Sequence, residues 1–378
     1  MASTTLNPAQ RRVVQSSEKG FLFSYPGFVG TGRGLVVGKP GVGRDFPRSY
    51  SQMRAWFDED WKCLDYLDWL RWPDGFVCPH CASIAGWRLA DSRWKCGGCD
   101  RKVSVTAGTI FDKTRTPLTV WFAIAWRMVG DKIGVSAIQV QREMELGSIQ
   151  TAWMMLHRYR TVMVRPGRDR LRGDVEVDET ILGGFEPGMR GRGSARKVLI
   201  AGAVERNPGR FGRVRLGMIP NASNVSLAAF LDANVEPGSH VITDGWSAYP
   251  AATRGRYEHT PLTVAGSGQQ AHEVLPGVHR VFSLVKRWLM GVTQGSVTPE
   301  HMQAYLDEWV FRFNRRNAKS RGLLFHTLLQ QAVEGQPVTY LSMRKTGRER
   351  PGPVPVQGVR HNPLSLDVGH PDLPWRQE

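Results

Sequence analysis

The stretch that decides the fold is residues 175–181, which read Val-Glu-Val-Asp-Glu-Thr-Ile. β-Branched and acidic residues alternate here, as they do in a strand whose two faces meet different surroundings. The alternation places Glu176 and Asp178 on one face and Val175 and Val177 on the other. An exposed acidic edge would give the same pattern, but the flanking residues are apolar. We therefore expect a strand that carries carboxylates to a functional site.

A second strand-like run, residues 241–244 (Val-Ile-Thr-Asp), also ends in an aspartate, Asp244. Ligands of α/β proteins bind beyond the carboxyl ends of the strands, and we place Asp178 at such an end as well. The two carboxylates are therefore expected to converge. With one metal-capable residue from a helix start, they suit a divalent metal ion and phosphoryl transfer on nucleic acid.

The candidate for that third residue is His279, which opens a helix-like run over residues 279–290. Residues seven apart nearly eclipse on a helix, so His279 shares a face with Lys286, away from the apolar stripe. For a lone histidine, a half-exposed position at a helix start is the ordinary interpretation. The buried stripe comprises Val281, Phe282, Val285, Trp288 and Leu289.

The surrounding pattern predicts an α/β catalytic domain over residues 169–338. Strands, then a helix, then a strand, then helices indicate an α/β sandwich with a mixed sheet. The second and third strands are expected to form a hairpin through Asn207-Pro208-Gly209. Besides the runs above, the expected elements are strands at 198–204 and 214–219 and helices at 226–233 and 299–314.

Four of the five cysteines form two Cys-x-x-Cys pairs, Cys78 with Cys81 and Cys96 with Cys99. Each pair can supply two thiolates to one tetrahedral zinc ion, and four filled positions make that zinc structural. The glycines at 97 and 98 are expected to turn the backbone and to point amides at sulfur. We expect Cys63 to be a buried thiol. His80 lies inside a knuckle and is expected to be exposed or to support the site without binding the metal.

Residues 113–168 are predicted to be helical, with helices at 118–129, 136–146 and 148–164. The last two fit a helix-turn-helix, and an ordinary helical hairpin fits them equally well. The predicted apolar side comprises Ile138, Val140, Met144 and Leu146. The polar side chains that could reach DNA are Gln139, Gln141, Arg142, Arg158 and Arg160. The zinc knuckles upstream favour DNA binding.

The chain has 378 residues, with 50 Lys and Arg against 34 Asp and Glu, a net charge of +16 and a pI near 10.0. Such a balance suits a polyanion, and nucleic acid is the default partner. No apolar run reaches transmembrane length, so we expect a cytoplasmic, nucleoid-associated protein without a membrane partner. The predicted divisions are a disordered extension at 1–48, a helix plus zinc ribbon at 49–112, a helical DNA-binding segment at 113–168, the catalytic domain, and a disordered tail at 339–378.

Between Tyr50 and Val338 the chain resembles the DDE-type insertion-sequence transposases, in the zinc-ribbon branch known as the IS-fifteen-ninety-five family. The resemblance rests on the cysteine pairs, residues 106–111, the strand around Asp178, residues 244–249 (Asp-Gly-Trp-Ser-Ala-Tyr), the helix start at His279, and residues 305–316. It implies an RNase H-like catalytic domain preceded by a zinc ribbon and a helical, helix-turn-helix-like segment.

The resemblance implies that Asp178 and Asp244 are the family's two aspartates and that Lys286 is its basic residue. The third position, commonly Glu, is here His279, with Glu308 or Glu300 as substitutes. These residues would hold Mg²⁺ or Mn²⁺, cut a strand at the element end, and join the freed 3′-OH to target DNA. Lys286 would position a terminal phosphate.

The implied partners are the element's terminal inverted repeats and target DNA, with a homo-oligomer assembled on them. Two other functions fit: a catalytically silent, transposase-derived DNA-binding protein, and a metal-dependent nuclease that does not join. Charge runs are often only solvated surface, but beside a phosphotransfer site phosphate contacts are the better interpretation. The predicted DNA contacts are Arg190, Arg192, Arg196, Lys197, Lys286, Arg287, Arg315 and Arg316.

Overall fold

The computed structural model describes residues 40–183, 197–262, 271–294 and 297–345. Helices and a small sheet form the first half. They are α1 (Tyr50–Trp56), α2 (Asp60–Arg71), β1 (Gly86–Arg88), β2 (Trp94–Cys96), β3 (Lys102–Val103), α3 (Leu118–Gly130), α4 (Ala137–Glu143) and α5 (Ile149–Val162). The single helix expected before the cysteines is therefore two helices, the first capped by the Ser49 hydroxyl.

A larger α/β unit follows. Its elements are β4 (Asp174–Gly183), β5 (Lys197–Asn207), β6 (Arg210–Ile219), α6 (Asn224–Asn234), β7 (His240–Asp244), α7 (Tyr249–Thr253), β8 (Glu258–Leu262), α8 (Ala271–Val274), α9 (Pro276–Thr293), α10 (Pro299–Asn314), α11 (Arg321–Glu334) and α12 (Tyr340–Lys345). Every strand and helix predicted in this region is present, and several are longer than the pattern indicated.

The large sheet has five strands in the order β6-β5-β4-β7-β8. β4, β5 and β6 pair antiparallel, and β7 and β8 lie parallel to β4. The hairpin between β5 and β6 turns at Gly209, whose φ of +69° suits glycine. This strand order and direction are those of an RNase H-like sheet, so the predicted mixed α/β fold is confirmed.

Helices cover both faces of the sheet. Val175 and Val177 point to the face covered by α6 and α7, and α9 and α10 cover the opposite face, to which Glu176 belongs. The alternation in residues 175–178 therefore separates an apolar core from a face with buried carboxylates, as predicted.

The helical first half has its own core, and that core includes a late part of the chain. α11 packs on α2, α3 and α5, and its buried Leu324, Phe325, Leu328 and Leu329 join the same cluster as Leu67 and Phe122. The RNase H-like unit thus lies between two parts of the chain that share one core. This helix was not predicted.

Both predicted disordered ends are too long. Phe46 is 3% exposed and its ring packs on His326 of α11, so residues 40–48 are ordered. At the other end α12 lies within the predicted tail, and its Met343 is buried. In the part of the chain that the structure describes, no helix has the length and apolar character needed to cross a membrane.

Candidate active site and zinc centre

Asp178 and Asp244 lie on neighbouring strands at the same level. β4 and β7 pair in parallel from Asp174 opposite His240 to Glu176 opposite Ile242. Continuing that register by two residues sets Asp178 level with Asp244, the last residue of β7. The placement of Asp244 at a strand end is confirmed. Asp178 is not at a strand end, because β4 continues to Gly183 in its antiparallel ladder with β5.

The Asp178 carboxylate is in an unfavourable electrostatic position. It is 8% exposed, and burial raises its pKa to about 6, opposed by a hydrogen bond from the Glu179 N–H. The negative charge of Asp244 raises the pKa further and the positive charge of Lys286 lowers it. A cation bound between the two aspartates would relieve both the burial cost and the repulsion.

His279 lies against Asp178, with its Nε2 3.5 Å from the Asp178 Oδ2. Its helix begins at Pro276, three residues earlier than predicted, so His279 is inside the first turn. Its side chain is 31% exposed, which leaves part of the ring accessible from solvent. Imidazole can bind Mn²⁺ or Mg²⁺ but adds no negative charge. The structure therefore places His279 against Asp178.

The two glutamates proposed as substitutes lie elsewhere. Glu308 is buried and its Oε2 accepts a hydrogen bond of 2.8 Å from Nε of Arg160 on α5, with Arg312 Nη1 at 3.5 Å from the other oxygen. Glu300 is exposed at the start of α10. Glu308 thus neutralises a buried arginine between the helical body and α10.

Glu176 holds the helix that carries His279, a role that the sequence did not indicate. Its side chain is buried, and its Oε2 accepts a hydrogen bond of 2.9 Å from the backbone N–H of Val278. Burial raises the pKa of Glu176, and the N–H groups of Val278 and Gly277 and the charge of Arg206 oppose that rise. A carboxylate at a helix N-terminus binds free N–H groups and complements the helix dipole.

Two glycines allow this helix to approach the sheet. Gly202 lies opposite Asp178 on β5, and a Cβ there would come within 2.6 Å of the Phe282 ring. A Cβ on Gly277 would come within 2.8 Å of both the Glu176 carboxylate and the Phe211 ring. Larger residues at either position would push α9, and His279 with it, away from the aspartates.

Tyr249 is a second residue without a predicted role. It is fully buried at the start of α7. Burial raises the pKa of its hydroxyl well above the usual value, and the charges of Glu179, Asp178 and Asp244 add to the rise. The hydroxyl therefore lies beside the acidic cluster. The sequence did offer one signal for this residue: Tyr249 ends the run from Asp244 to Tyr249, on which the family resemblance partly rests.

The predicted DNA-contacting residues divide into three groups. Lys286 and Arg287 are exposed on α9, and Lys197 begins β5. Arg315 and Arg316 are half-buried and donate hydrogen bonds to backbone carbonyl oxygens. The third group, Arg190, Arg192 and Arg196, lies outside the described residues.

In the predicted helix-turn-helix, fewer polar side chains are available to contact DNA than the sequence indicated. Arg160 is buried in its ion pair with Glu308, and Arg158 donates to the carbonyl oxygens of Ile110 and Val338. Ile138, assigned to the apolar side, is 46% exposed. The two helices α4 and α5 do pack together, joined by a short turn with Ser148 as the cap of α5.

The four paired cysteines converge. Their sulfur atoms all lie within 4.8 Å of one another, with Cys78 3.7 Å from Cys99 and Cys81 3.5 Å from Cys96. A tetrahedron with Zn–S bonds of ~2.3 Å has sulfur-to-sulfur edges of about 3.8 Å, so the group fits zinc. Among the residues that the structure describes, no other set of three or more Cys, His, Asp or Glu is gathered within that distance.

Both knuckles have the same backbone shape. The residues that follow them, Ala82 and Asp100, have φ values of 59° and 58°, and each N–H donates to the carbonyl of the first cysteine of its pair. The Gly98 N–H points at the Cys96 sulfur at 3.3 Å, as predicted, whereas the Gly97 N–H donates to Ala85. His80 is exposed beside Arg101, and Cys63 is a buried thiol, as predicted.

Comparison with known proteins gives consistent similarities. Residues 170–314 match the ISXO2-like transposase domain, and residues 58–102 match the transposase zinc-ribbon domain. The chain is 26% identical over 282 residues, covering 68% of it and 93% of the relative, to an uncharacterized protein in transposable element ISH50 of Halobacterium salinarum. It is also 26% identical over 121 residues to an uncharacterized transposase-like protein of Haemophilus influenzae, covering 32% of this chain and 94% of that one.

Two solved structures were also found. The Mos1 strand transfer complex and a pre-cleavage Mos1 transpososome each align with 61% of this chain and with 79% and 80% of theirs. Their identities are 14% and 12% and their TM-scores 0.26 and 0.24, values too low to transfer any property to this chain.

Proposed function

Since residues 170–314 belong to the ISXO2-like transposase domains and residues 58–102 to the transposase zinc ribbons, we propose that this insertion-sequence transposase cuts element ends and joins them to target DNA. The reaction is a pair of phosphoryl transfers, with water as the first nucleophile and the freed 3′-OH as the second. The DNA partners are the terminal inverted repeats and the target duplex.

The observation that carries the proposal is that Asp178 lies level with Asp244 on the neighbouring strand, with His279 against Asp178. Two carboxylates on adjacent strands and an imidazole 3.5 Å from one of them form a donor set for a hard divalent cation. Burial raises the pKa of Asp178, and the negative charge of Asp244 adds to the rise. A buried carboxylate beside a second carboxylate supports a cation site.

Asp178, Asp244 and His279 would hold Mg²⁺ or Mn²⁺. When bound, such ions stabilise the attacking and leaving oxygens and activate water at neutral pH. Asp178 and Asp244 would supply the negative charge that retains the cations, and His279 would complete the donor set from the helix side. Tyr249, buried beside the aspartates, would help to fix the positions of their carboxylates.

Lys286 would hold a phosphate of the bound strand. It is exposed, lies seven residues after His279 on the same helix, and is close enough to Asp178 for its charge to lower that pKa. Arg287 beside it extends the basic surface. Such contacts position the duplex without reading its sequence.

The zinc ribbon and α4–α5 would bind the element end, and zinc would stabilise the ribbon through its four cysteines. Binding should weaken as salt rises, because the chain's net charge of +16 points to phosphate contacts. Assembly of several copies on DNA is part of the proposal.

The deciding experiment is a strand-transfer assay. Purified protein is mixed with a duplex that carries the inverted repeat flanking the gene, a supercoiled target plasmid, and Mg²⁺ or Mn²⁺. We expect cut ends and covalently joined products, and neither with Asp178→Asn. Cut ends without joined products would identify a nuclease, and binding without cutting would identify a silent DNA-binding protein.

A further inference from the structure

An open groove of about 740 Å³ lies immediately beside His279. One wall is the outer face of α9, with Arg280 and Ser283, and the other is formed by Phe211 at the start of β6 and by Phe313 and Arg316 at the end of α10. The volume falls within the ~300–1,000 Å³ of pockets that hold small organic groups. The groove is continuous with the candidate active site, because His279 lines it.

The charge of the groove is positive. Two arginines and the histidine line it, and no carboxylate does among the described residues. Arg280 is exposed and stands at the side where α9 faces solvent. An anionic strand would therefore be attracted to the groove, while its largely apolar lining offers little to a phosphate itself.

Hydrogen bonds hold the Arg316 guanidinium along its edge, so its planar face is the part left for contact with a ligand. Its Nη1 donates to the carbonyl oxygens of Phe313 at 3.0 Å and Gly212 at 3.4 Å, and its Nη2 donates to that of Phe211. These bonds occupy much of the edge that would otherwise grip a phosphate.

The guanidinium of Arg316 also ends a stack. Its carbon lies 4.1 Å from the centre of the Phe313 ring, and the Phe313 ring stacks on Trp309 with centroids 4.7 Å apart and planes at 18°. Arg316, Phe313 and Phe211 all line the groove, so one guanidinium plane and two aromatic rings border the same space. Arginine planes and aromatic side chains are the surfaces on which unstacked bases lie.

We propose that this groove holds one base of the bound DNA, rotated out of the duplex next to the scissile phosphate and lying between Arg316 and Phe211. The inference rests on the proposed function and adds a specificity subsite to it. Rotating the base out would open the backbone locally, so that the scissile phosphate can reach Asp178 and Asp244. The sugar-phosphate backbone would pass along Arg280.

The test fills the groove and then removes the base. Ser283→Trp places a large side chain in the groove from an exposed position, so it does not enter the core. On intact element-end duplex we expect cleavage to fall roughly 10- to 100-fold. A scan with single abasic nucleotides around the cleavage site should find one position at which Ser283→Trp again cuts within a few-fold of the wild type, because the base that collides with the tryptophan is missing.

The matched control is Met290→Trp, seven residues along α9, 61% exposed and outside the groove. It should cut intact duplex as the wild type does, and abasic substitution should give it no gain. Ser283→Phe is a second, smaller block that should show the same rescue at the same position. Thermal melting and DNA affinity are measured for each variant.

The outcomes separate the two proposals. If the wild type does not cut intact duplex, the proposed function fails. If the wild type cuts and the Ser283 variants cut equally well, or if no position or every position rescues them, the base subsite is wrong while the function stands.

Discussion

The carboxylate of Glu176 accepts a hydrogen bond of 2.9 Å from the backbone N–H of Val278 and so joins the strand of Asp178 to the residue before His279. Glu176 is two residues before Asp178 on the same face of β4. One short segment therefore fixes both sides of the site: Asp178 directly, and His279 through the start of its helix. We predict that Glu176 is a positioning residue, since it would affect the reaction only through His279.

Replacing Glu176 should loosen this connection. Glu176→Ala leaves the N–H of Val278 buried without its acceptor, and we expect the free energy of unfolding to fall by about 1–3 kcal/mol. Cleavage per folded molecule should also fall, because His279 is no longer held. Glu176→Gln keeps an acceptor oxygen and should retain most of the activity. Denaturant unfolding and single-turnover cleavage measure the two effects.

The control is Glu205→Ala, which removes another buried carboxylate of the same sheet, one that binds Arg213 away from α9. It should lower stability without changing cleavage by the folded fraction. Equal loss of cleavage in both variants would show that Glu176 acts only through general stability.

The aspartates should be essential for chemistry and dispensable for binding. Asp178→Asn and Asp244→Asn keep side-chain size and remove a charge that the metals need, so cutting and joining should disappear while affinity for element-end DNA remains. Gel-shift and cleavage assays on the same preparations check this. Near wild-type cutting in Mg²⁺ by either variant would refute the assignment.

His279 and Glu308 should fail in different ways. His279→Ala should lose much of its cutting with its fold intact, Mn²⁺ should rescue it better than Mg²⁺, and His279→Glu should remain partly active because it restores a carboxylate. Glu308→Gln breaks a buried ion pair with Arg160 and should cost roughly 3–5 kcal/mol of stability. Cleavage per folded molecule, measured below the melting transition, compares the two. A stable Glu308→Gln protein that does not cut would give the third position to Glu308.

The ribbon should contain one zinc per chain. The geometry of Cys78, Cys81, Cys96 and Cys99 supports a closed site, and zinc binding of this kind contributes directly to folding. Elemental analysis should give close to one equivalent, and Cys96→Ser should lose both the metal and the thermal transition of the ribbon. If the wild-type protein contains little zinc and Cys96→Ser folds normally, the zinc assignment is wrong.

Acid should destabilise the helical body through His326. Burial lowers its pKa to about 4, and its Nδ1 lies 2.8 Å from the Tyr66 hydroxyl, which donates to the Asp45 carbonyl. The pKa of His326 in the folded protein lies below the ordinary 6.5, so the folded state favours the neutral ring. The resulting contribution to the free energy of unfolding is present above pH 6.5 and is lost as pH falls towards 4. The loss is about 3 kcal/mol.

His326→Phe keeps an aromatic ring without a titrating group, and its melting temperature should fall less than that of the wild type between pH 7 and pH 4.5. Parallel curves for the two proteins would show that His326 does not sense the acid. The carbonyl of Asp45 retains its partner in Tyr66, so the variant isolates the histidine.

Local patterns were sufficient for four strands of the large sheet and for the four clustered cysteines. The alternation around Asp178 and the spacing of the cysteines determine geometry over a few residues, so both could be predicted. β8 could not, because it lacks alternation and contains Pro261, which is tolerated only since β8 is an edge strand.

Longer-range relationships were hidden. The sequence allowed either Glu308 or His279 as the third residue, and the ion pair of Glu308 involves Arg160, which lies 148 residues earlier in the chain. Likewise, nothing near Glu176 announces that it will bind the start of a helix 102 residues later. Residues 321–334 follow a basic run, and the surface that they cover is made by helices encoded far upstream.

That last helix has a consequence for synthesis. During synthesis α2, α3 and α5 leave the ribosome long before α11. The apolar surface that α11 covers therefore remains exposed until the entire RNase H-like unit has emerged. Gene copies that lose their 3′ end would encode a body that cannot close its core. Shortened remnants of the element should therefore be cleared by proteolysis and should not persist as competitors for its DNA ends.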